Sequence, residues 1–281
     1  LAALLFVITY VVVMTEKVNR AIVALVAAGL MIVLGILNQE AAIRGIDFNT
    51  IGLLIGMMVI VAVTRQSGIF QFLAIWAAKK VNAQPWGILV MISLVTAVTS
   101  AFLDNVTTVL LVVPVTLLIT EELKVKPYPY LFAMIFSSNI GGTATLIGDP
   151  PNIMIGSATG LTFNDFAYNL SPVIFVIMAA TLIPIYFIWG RHLKAAAEDR
   201  QRVMQFNEYE AITDPLLLRH CLIVIGLVIA GFVFARFLGL EAATVAMTGA
   251  ALLLLLANWR HGPEEQSKHV LEAFNEVEWI T

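Results

Sequence analysis

The feature that most constrains this chain is the length of its uncharged apolar runs. No charged residue falls between Val81 and Leu103, between Pro127 and Gly148, or between Phe166 and Gly190. About 20 apolar residues are enough to carry a helix across the hydrocarbon core of a bilayer. Hydrophobic residues make up 60% of the sequence, charged ones 12%, and the mean hydropathy is +0.91. Soluble domains sit nearer half and a quarter on the first two measures. A transmembrane barrel would show alternating segments of about 10 residues, and none is visible. The composition implies an all-α polytopic membrane protein, with the lipid bilayer of the cell or inner membrane as its surroundings. No basic patch outside the loops supports nucleic-acid binding. Cys221 is the only cysteine, so there is neither a disulfide framework nor a cysteine metal site, and it reads as a small apolar residue in a span. Leu1 already lies inside an apolar run and no signal peptide is evident, which suggests a trimmed N-terminus.

Hydropathy places spans at 1–14, 20–37, 50–64, 86–103, 106–121, 128–159 (interrupted), 168–190, 216–236 and 241–257. Residues 65–81 and 191–214 are more polar and suit amphipathic helices at the membrane surface. With this span list, fourteen of the sixteen lysines and arginines fall on one side, and only Arg44 and Arg236 on the other. The positive-inside rule makes the rich side cytoplasmic. The N-terminus is then outside and 191–215 cytoplasmic. His192, His220, His261 and His269 fall in or beside the cytoplasmic loops and read as solvated.

Sliding the chain by 220 residues lays Val7–Leu37 over Leu227–Ala257 and Gly29 over Gly249, with Asp47–Thr50 resembling Glu278–Thr281. Any two apolar helix pairs align to some degree. Here, however, the first copy starts outside and the second inside, the inverted arrangement found in many secondary transporters. The expected organisation is a first repeat over 1–190, a cytoplasmic linker over 191–215, and the truncated start of a second inverted repeat over 216–281.

Two polar clusters interrupt the apolar runs. The first is SSNIGGTATLIGDPPN (137–152). Pro150 and Pro151 lack donors, Pro150 disfavours helical geometry at Asp149, and Gly141 and Gly142 each cost a helix about 1 kcal/mol relative to alanine. Irregular backbone at membrane depth is tolerated only against protein or a water-filled cavity. The arms 128–141 and 151–159 are each too short to cross alone, so a broken transmembrane helix is preferred to an external loop. Free carbonyls at one half-helix end can coordinate a cation, and free amides at the other an anion. Ser138, Asn139, Thr143, Thr145 and Asn152 add polar side chains, and Asp149 a carboxylate. The second cluster, TSAFLDNVTT (99–108), divides 86–121 into two arms. A re-entrant hairpin and two ordinary spans both fit, but an ionisable residue at membrane depth, here Asp104, is a functional candidate. With Asn105, Thr107 and Thr108 it forms the tip.

SAFLDNVTTVLLVVPV (100–115) and SSNIGGTATLIGDPPNIMIGS (137–157) resemble the paired signatures of the ion transporter superfamily. The closest branch is the arsenite-efflux and P-protein group, often labelled citrate-transporter-like; NhaD-type antiporters and dicarboxylate carriers are more distant. The resemblance covers essentially the whole chain. It implies two inverted repeats, each with a re-entrant hairpin and an unwound helix. In dicarboxylate relatives a Ser-Asn-Thr tip binds substrate carboxylate and sodium. The corresponding tip here is Asp104-Asn105-Val106-Thr107. Asp104 would repel a carboxylate unless it carries a proton or a cation, which argues against a dicarboxylate and for sodium or proton coupling.

The expected function is a secondary active transporter for a small inorganic or organic anion or oxyanion. A sodium/proton antiporter is the alternative, and an ion channel or intramembrane enzyme ranks lower. The candidate ion and substrate residues are Asp104, Asn105, Thr107, Thr108, Ser138, Asn139, Gly141, Gly142, Thr143, Thr145, Asp149 and Asn152. Asn105, Thr107, Asn139 and Gly142 form a candidate sodium position, and no other cofactor is expected. Substrate, direction and oligomeric state, a homodimer included, are left open.

Overall fold

A computed structural model of the chain describes residues 1–259 and 262–277. Arg260, His261 and the Glu278–Thr281 arm of the proposed repeat lie outside the described residues. Among the described residues the structure is helical throughout, with no strand. The helices are α1 (Ala2–Met14), α2 (Arg20–Val33), α3 (Gln39–Arg44), α4 (Phe48–Gln66), α5 (Ile69–Lys80), α6 (Pro85–Ser100), α7 (Asn105–Glu122), α8 (Tyr128–Gly142), α9 (Pro150–Thr159), α10 (Phe163–Ile188), α11 (Ala197–Met204), α12 (Pro215–Leu238), α13 (Ala242–Asn258) and α14 (Pro263–Asn275). Two compact units are present. Leu1–Phe48 forms one, in which α1 packs on α2; Asn49–Glu276 forms the other.

The helix boundaries follow local chemistry. Proline occupies the first turn of α6, α8, α9 and α12, where its missing N–H costs nothing. Asp214 caps α12 by accepting from the backbone N–H groups of Leu216 and Leu217. Thr162 and Asp165 close a reciprocal capping box at the start of α10. Among the described residues four helices are long and apolar enough to cross a membrane: α4, α7, α10 and α12. The expected spans at 86–103 and 241–257 appear as the shorter apolar helices α6 and α13.

In the second unit, α6 and α8 pack most closely. They run parallel. At their starts the Tyr130 hydroxyl donates to the Pro85 carbonyl at 3.0 Å. At their far ends Gly141 lies directly on the Ala97 backbone, where any Cβ would clash with its Cα and carbonyl oxygen. Between these points Ile88, Leu89, Ile92, Val112, Ala133 and Met134 form the core. Lipid tails are as apolar as leucine, so helices in a bilayer associate through close packing of small residues rather than through apolar burial. Helix α5 obeys this rule: Ala74, Ala77 and Ala78 are fully buried, and the helix packs on both α6 and α7. The segment read as surface-lying is therefore helical, with one face built into the bundle.

Helix α10 returns antiparallel to α6 and α8, and its contacts act as a ruler. Tyr186 meets Trp86 edge-on at 5.0 Å, Ser137 Oγ is 3.7 Å from Met178 Sδ, and Ser171 Oγ lies 3.5 Å from the Ala144 carbonyl. The ends of α6 and α8 are thus level with Ser171. The stretch of α10 from Phe163 to Leu170 carries the helix about 12 Å further, at 1.5 Å per residue.

At the opposite end the linker is tied to the bundle. Lys79 pairs with Glu208, Lys124 with Asp199 at 3.2 Å, and Arg202 with Asp199 and, at 3.9 Å, with Glu122. Arg200 donates to the Asn82 carbonyl at 2.8 Å, and Thr213 to that of Gln66. Segments that charge counting assigned to one side therefore do meet at one end. The Lys79 hydrogen bond holds Glu208 below the usual carboxylate range. Burial pushes Asp199 up, but Lys124 and Arg202 outweigh it and hold its carboxyl low.

Two outcomes follow. Gly141→Ala forces α8 off α6 and should lower stability by roughly 1–3 kcal/mol, the usual range for overpacking. Gly226→Ala on α12, where nothing lies within 4 Å of the added carbon, should be neutral or slightly stabilising; unfolding midpoints of the two variants compare them. The depressed carboxyls stabilise the docked linker above about pH 4, the ordinary carboxylate value, and that contribution is lost as the pH falls through their lowered values. A nitroxide at Ala196 should be immobile at neutral pH and gain mobility in acid. Asp199→Asn should raise its mobility at neutral pH already.

Candidate functional site

The site forms where α6 ends, α7 begins, α8 ends and α9 begins. Helix α8 stops at Gly142, residues 143–149 are irregular, and α9 starts at Pro150. The break expected from the glycines and prolines is there. Asp149 is extended (φ −146°, ψ 131°), as a residue before proline must be. The hairpin turn is Ala101–Asp104, and Asp104 caps α7 by accepting from Thr107 N–H at 2.8 Å.

Backbone approach brings the two elements together. Ser100 Oγ donates to the Ser138 carbonyl at 2.7 Å, and Thr145 Oγ1 donates to that of Ala101. Gly148 nests against both: a Cβ there would lie 2.6 Å from the Ser100 carbonyl oxygen and 2.5 Å from that of Gly142. Only glycine allows this fit. Above it, Asn105 Nδ2 donates to Asn139 Oδ1 at 3.0 Å. The Asp149 carboxylate is near enough to the Asn105 side chain and to the Asp104 charge to be influenced by both. Among the described residues no ion pair reaches Asp104 or Asp149.

The remaining candidates divide into exposed and supporting groups. Asn139 is exposed, and Asp104, Asn105, Thr107, Thr143 and Asp149 are half-buried. Thr143 Oγ1 donates to the Asn139 carbonyl at 2.9 Å. Asn152 is buried and bridges the break, its amide donating to the carbonyls of Thr143 at 3.2 Å and Thr145 at 2.8 Å. Ser138, Gly141, Gly142 and Thr145 are buried supports. Thr108 is fully buried one turn below the tip, and its hydroxyl has no partner among the described residues. Of the proposed sodium oxygens, Asn139 Oδ1 is already engaged by Asn105, while Thr107 contributes its N–H to the cap.

Ser100 and Gly148 stand in the two quoted clusters without a role of their own in the sequence reading, and Ala97 lies outside both. Ser100 and Gly148 were visible as a hydroxyl beside an aspartate turn and a glycine before Asp-Pro. Nothing in the sequence marked Ala97, because only its backbone is used.

Electrostatically the site is mixed. The carbonyl ends of α6 and α8 carry partial negative charge, and the amide ends of α7 and α9 partial positive charge. All four meet here with two carboxylates. Among the described residues no group of three or more His, Cys, Asp or Glu could hold a metal ion; the oxygens at the site belong to amides, hydroxyls, backbone carbonyls and the two carboxylates.

Residues 10–279 match the citrate transporter family. The chain belongs to that family. With its apolar helices, this makes it an integral membrane protein. It is 40% identical over 284 residues to an uncharacterized transporter of Mycobacterium tuberculosis, an alignment that takes in 100% of this chain and 64% of that protein. It is 30% identical over 264 residues to the magnetosome protein MamN of Magnetospirillum gryphiswaldense, covering 91% of this chain and 60% of that one. To the P protein of Homo sapiens it is 28% identical over 325 residues, 89% of this chain and 39% of the other. The chain thus spans less than two thirds of the length of these relatives.

Asn152 ties the break to itself. Asn152→Asp keeps the shape but removes both N–H donors and sets a carboxylate against two carbonyls. Leaving a buried acceptor unsatisfied costs about 1–3 kcal/mol. Hydrogen exchange at the 143–149 amides should therefore quicken by about ten-fold or more, while the α4 amides stay unchanged.

Proposed function

We propose that the chain is part of a secondary active transporter that moves a small anion or oxyanion coupled to sodium ions or protons, with the hairpin tip and the broken helix as one half of its binding site. The observation that carries this reading is the meeting of four helix ends around Asp104, Asn105, Asn139 and Asp149. Two carboxylates in one half-buried place repel each other and any bound anion, in proportion to 1/εr. A cation or proton between them removes both repulsions, so it must bind first or together with the anion. That order is coupling in its simplest form. The family description names citrate, a polyanion that would need such a cation; an oxyanion of lower charge would need it less.

The depth of the tip supports a re-entrant hairpin. It stops about 12 Å short of the start of α10 at 1.5 Å per residue, as a hairpin entering from one side would. The charged end, with Lys79, Lys124, Arg200 and Arg202, fits the cytoplasmic side under the positive-inside rule. The same pair of carboxylates also suits exchange of sodium for protons, so an antiporter without an anion is the second reading. The family and the helical fold favour a carrier over an enzyme.

The decisive test uses the intact protein in proteoliposomes. Asp104→Asn removes the charge and keeps the shape. It should abolish transport or change its sodium and pH dependence, with expression and unfolding midpoint close to the parent. A variant with parental rate, sodium dependence and pH dependence would sink the assignment and make Asp104 a solvated turn residue. Saturable counterflow separates carrier from channel, and loss of anion uptake with sodium/proton exchange retained would favour the antiporter.

A further inference from the structure

The charged end holds a second candidate, distinct from the ion site. Four of its cations are paired with carboxylates within the fold: Lys79 with Glu208, Lys124 and Arg202 with Asp199, and Arg65 with Glu276. Lys126, Arg191 and Lys194 are exposed and have no ion pair or hydrogen bond among the described residues. In the chain Lys126 and Arg191 flank one aromatic junction, and Lys194 follows Arg191 by three residues. Tyr128, two residues after Lys126, meets Trp189, two residues before Arg191, edge-on at 5.7 Å. Phe132 lies 5.9 Å from Tyr128 and 5.3 Å from Trp189, and Phe136 lies 4.7 Å from Phe132.

The pattern is amphipathic. Three free cations crown a ladder of rings that descends two turns of α8, about 12 Å at 1.5 Å per residue. Tyr128, Phe136, Phe187 and Ile188 are exposed along it. A soluble phosphate would use the cations and leave the ladder in contact with nothing of its own. An anionic lipid uses both, since its phosphate meets the cations and its acyl chain lies on the rings. Tyrosine and tryptophan also prefer the level of the headgroups. We infer that Lys126, Arg191 and Lys194, set over the Tyr128–Trp189 junction, hold the headgroup of an anionic phospholipid.

Trp189 is a built-in reporter. The intact protein would be placed in phosphatidylcholine vesicles containing phosphatidylglycerol or phosphatidylcholine with brominated acyl chains. The Trp189 signal is the difference between the parent and Trp189→Phe. Each cation near an anionic surface contributes several-fold to binding, so brominated phosphatidylglycerol should quench at about a ten-fold lower mole fraction than brominated phosphatidylcholine. Combined Lys126→Gln, Arg191→Gln and Lys194→Gln should erase that preference. Lys126→Arg, Arg191→Lys and Lys194→Arg should keep it. Equal quenching by the two lipids in the parent, or a preference that survives the glutamine changes, overturns the inference. So does loss of the preference on adding soluble glycerol phosphate, which would assign the cations to a soluble anion.

Discussion

The contact of Gly141 with the backbone of Ala97 is the constraint on which the rest of this structure depends. It lets two parallel helices end at one depth with their carbonyl ends side by side. Once α6 and α8 are that close, the chain leaving each one must turn within a few residues. The hairpin turn and the break are then close enough to hydrogen-bond to each other. Ser100 to Ser138, Thr145 to Ala101, and Gly148 against Ser100 are the result. A side chain at position 141 would push the two turns apart and strain these contacts, at the roughly 1–3 kcal/mol that overpacking costs.

The site inherits its chemistry from that geometry. A straight helix has its carbonyls engaged along its length and offers nothing to an ion. Helices that stop inside the protein offer ends, and here two ends of each sign meet. The carboxylates of Asp104 and Asp149 add charge that the fold itself does not neutralise, in contrast to Asp199 and Glu208 at the other end, which are paired with lysine and arginine. Among the described residues the molecule thus keeps paired acids at the linker joint and unpaired ones at the meeting of the helix ends.

Much of this was legible in the sequence, because the rules for helices in lipid are strict. Uninterrupted apolar runs gave the helices to within a few residues, and Gly141-Gly142 with Pro150-Pro151 marked the break. Asp104, flanked by Asn105 and Thr107, marked the tip. What stayed hidden was carried by backbone rather than by side-chain type. Ala97 looks like any span alanine, and its role appears only when Gly141 is seen against it. The parallel course of α6 and α8 rests on Tyr130 reaching Pro85, a bond between residues 45 positions apart. The buried face of α5 was missed because its aromatic and basic residues suggested a surface helix, while its alanines, which do the packing, carry little signal. The pairing of Asn139 with Asn105 also showed that one expected ligand oxygen is engaged within the protein itself.

The spacing of the tip contacts in the chain has a consequence for how the protein is made. Asn105, Ser100 and Thr145 find their partners 34, 38 and 44 residues away. When the ribosome has just delivered α6 and α7, Asp104 already has its cap bond to Thr107, but the Asn105 and Ser100 side chains lack the partners they have in the finished fold. The partners arrive only after a further stretch of chain has been synthesised. The tip and the break are therefore completed together, late in synthesis, once α8 and the segment after it have been made.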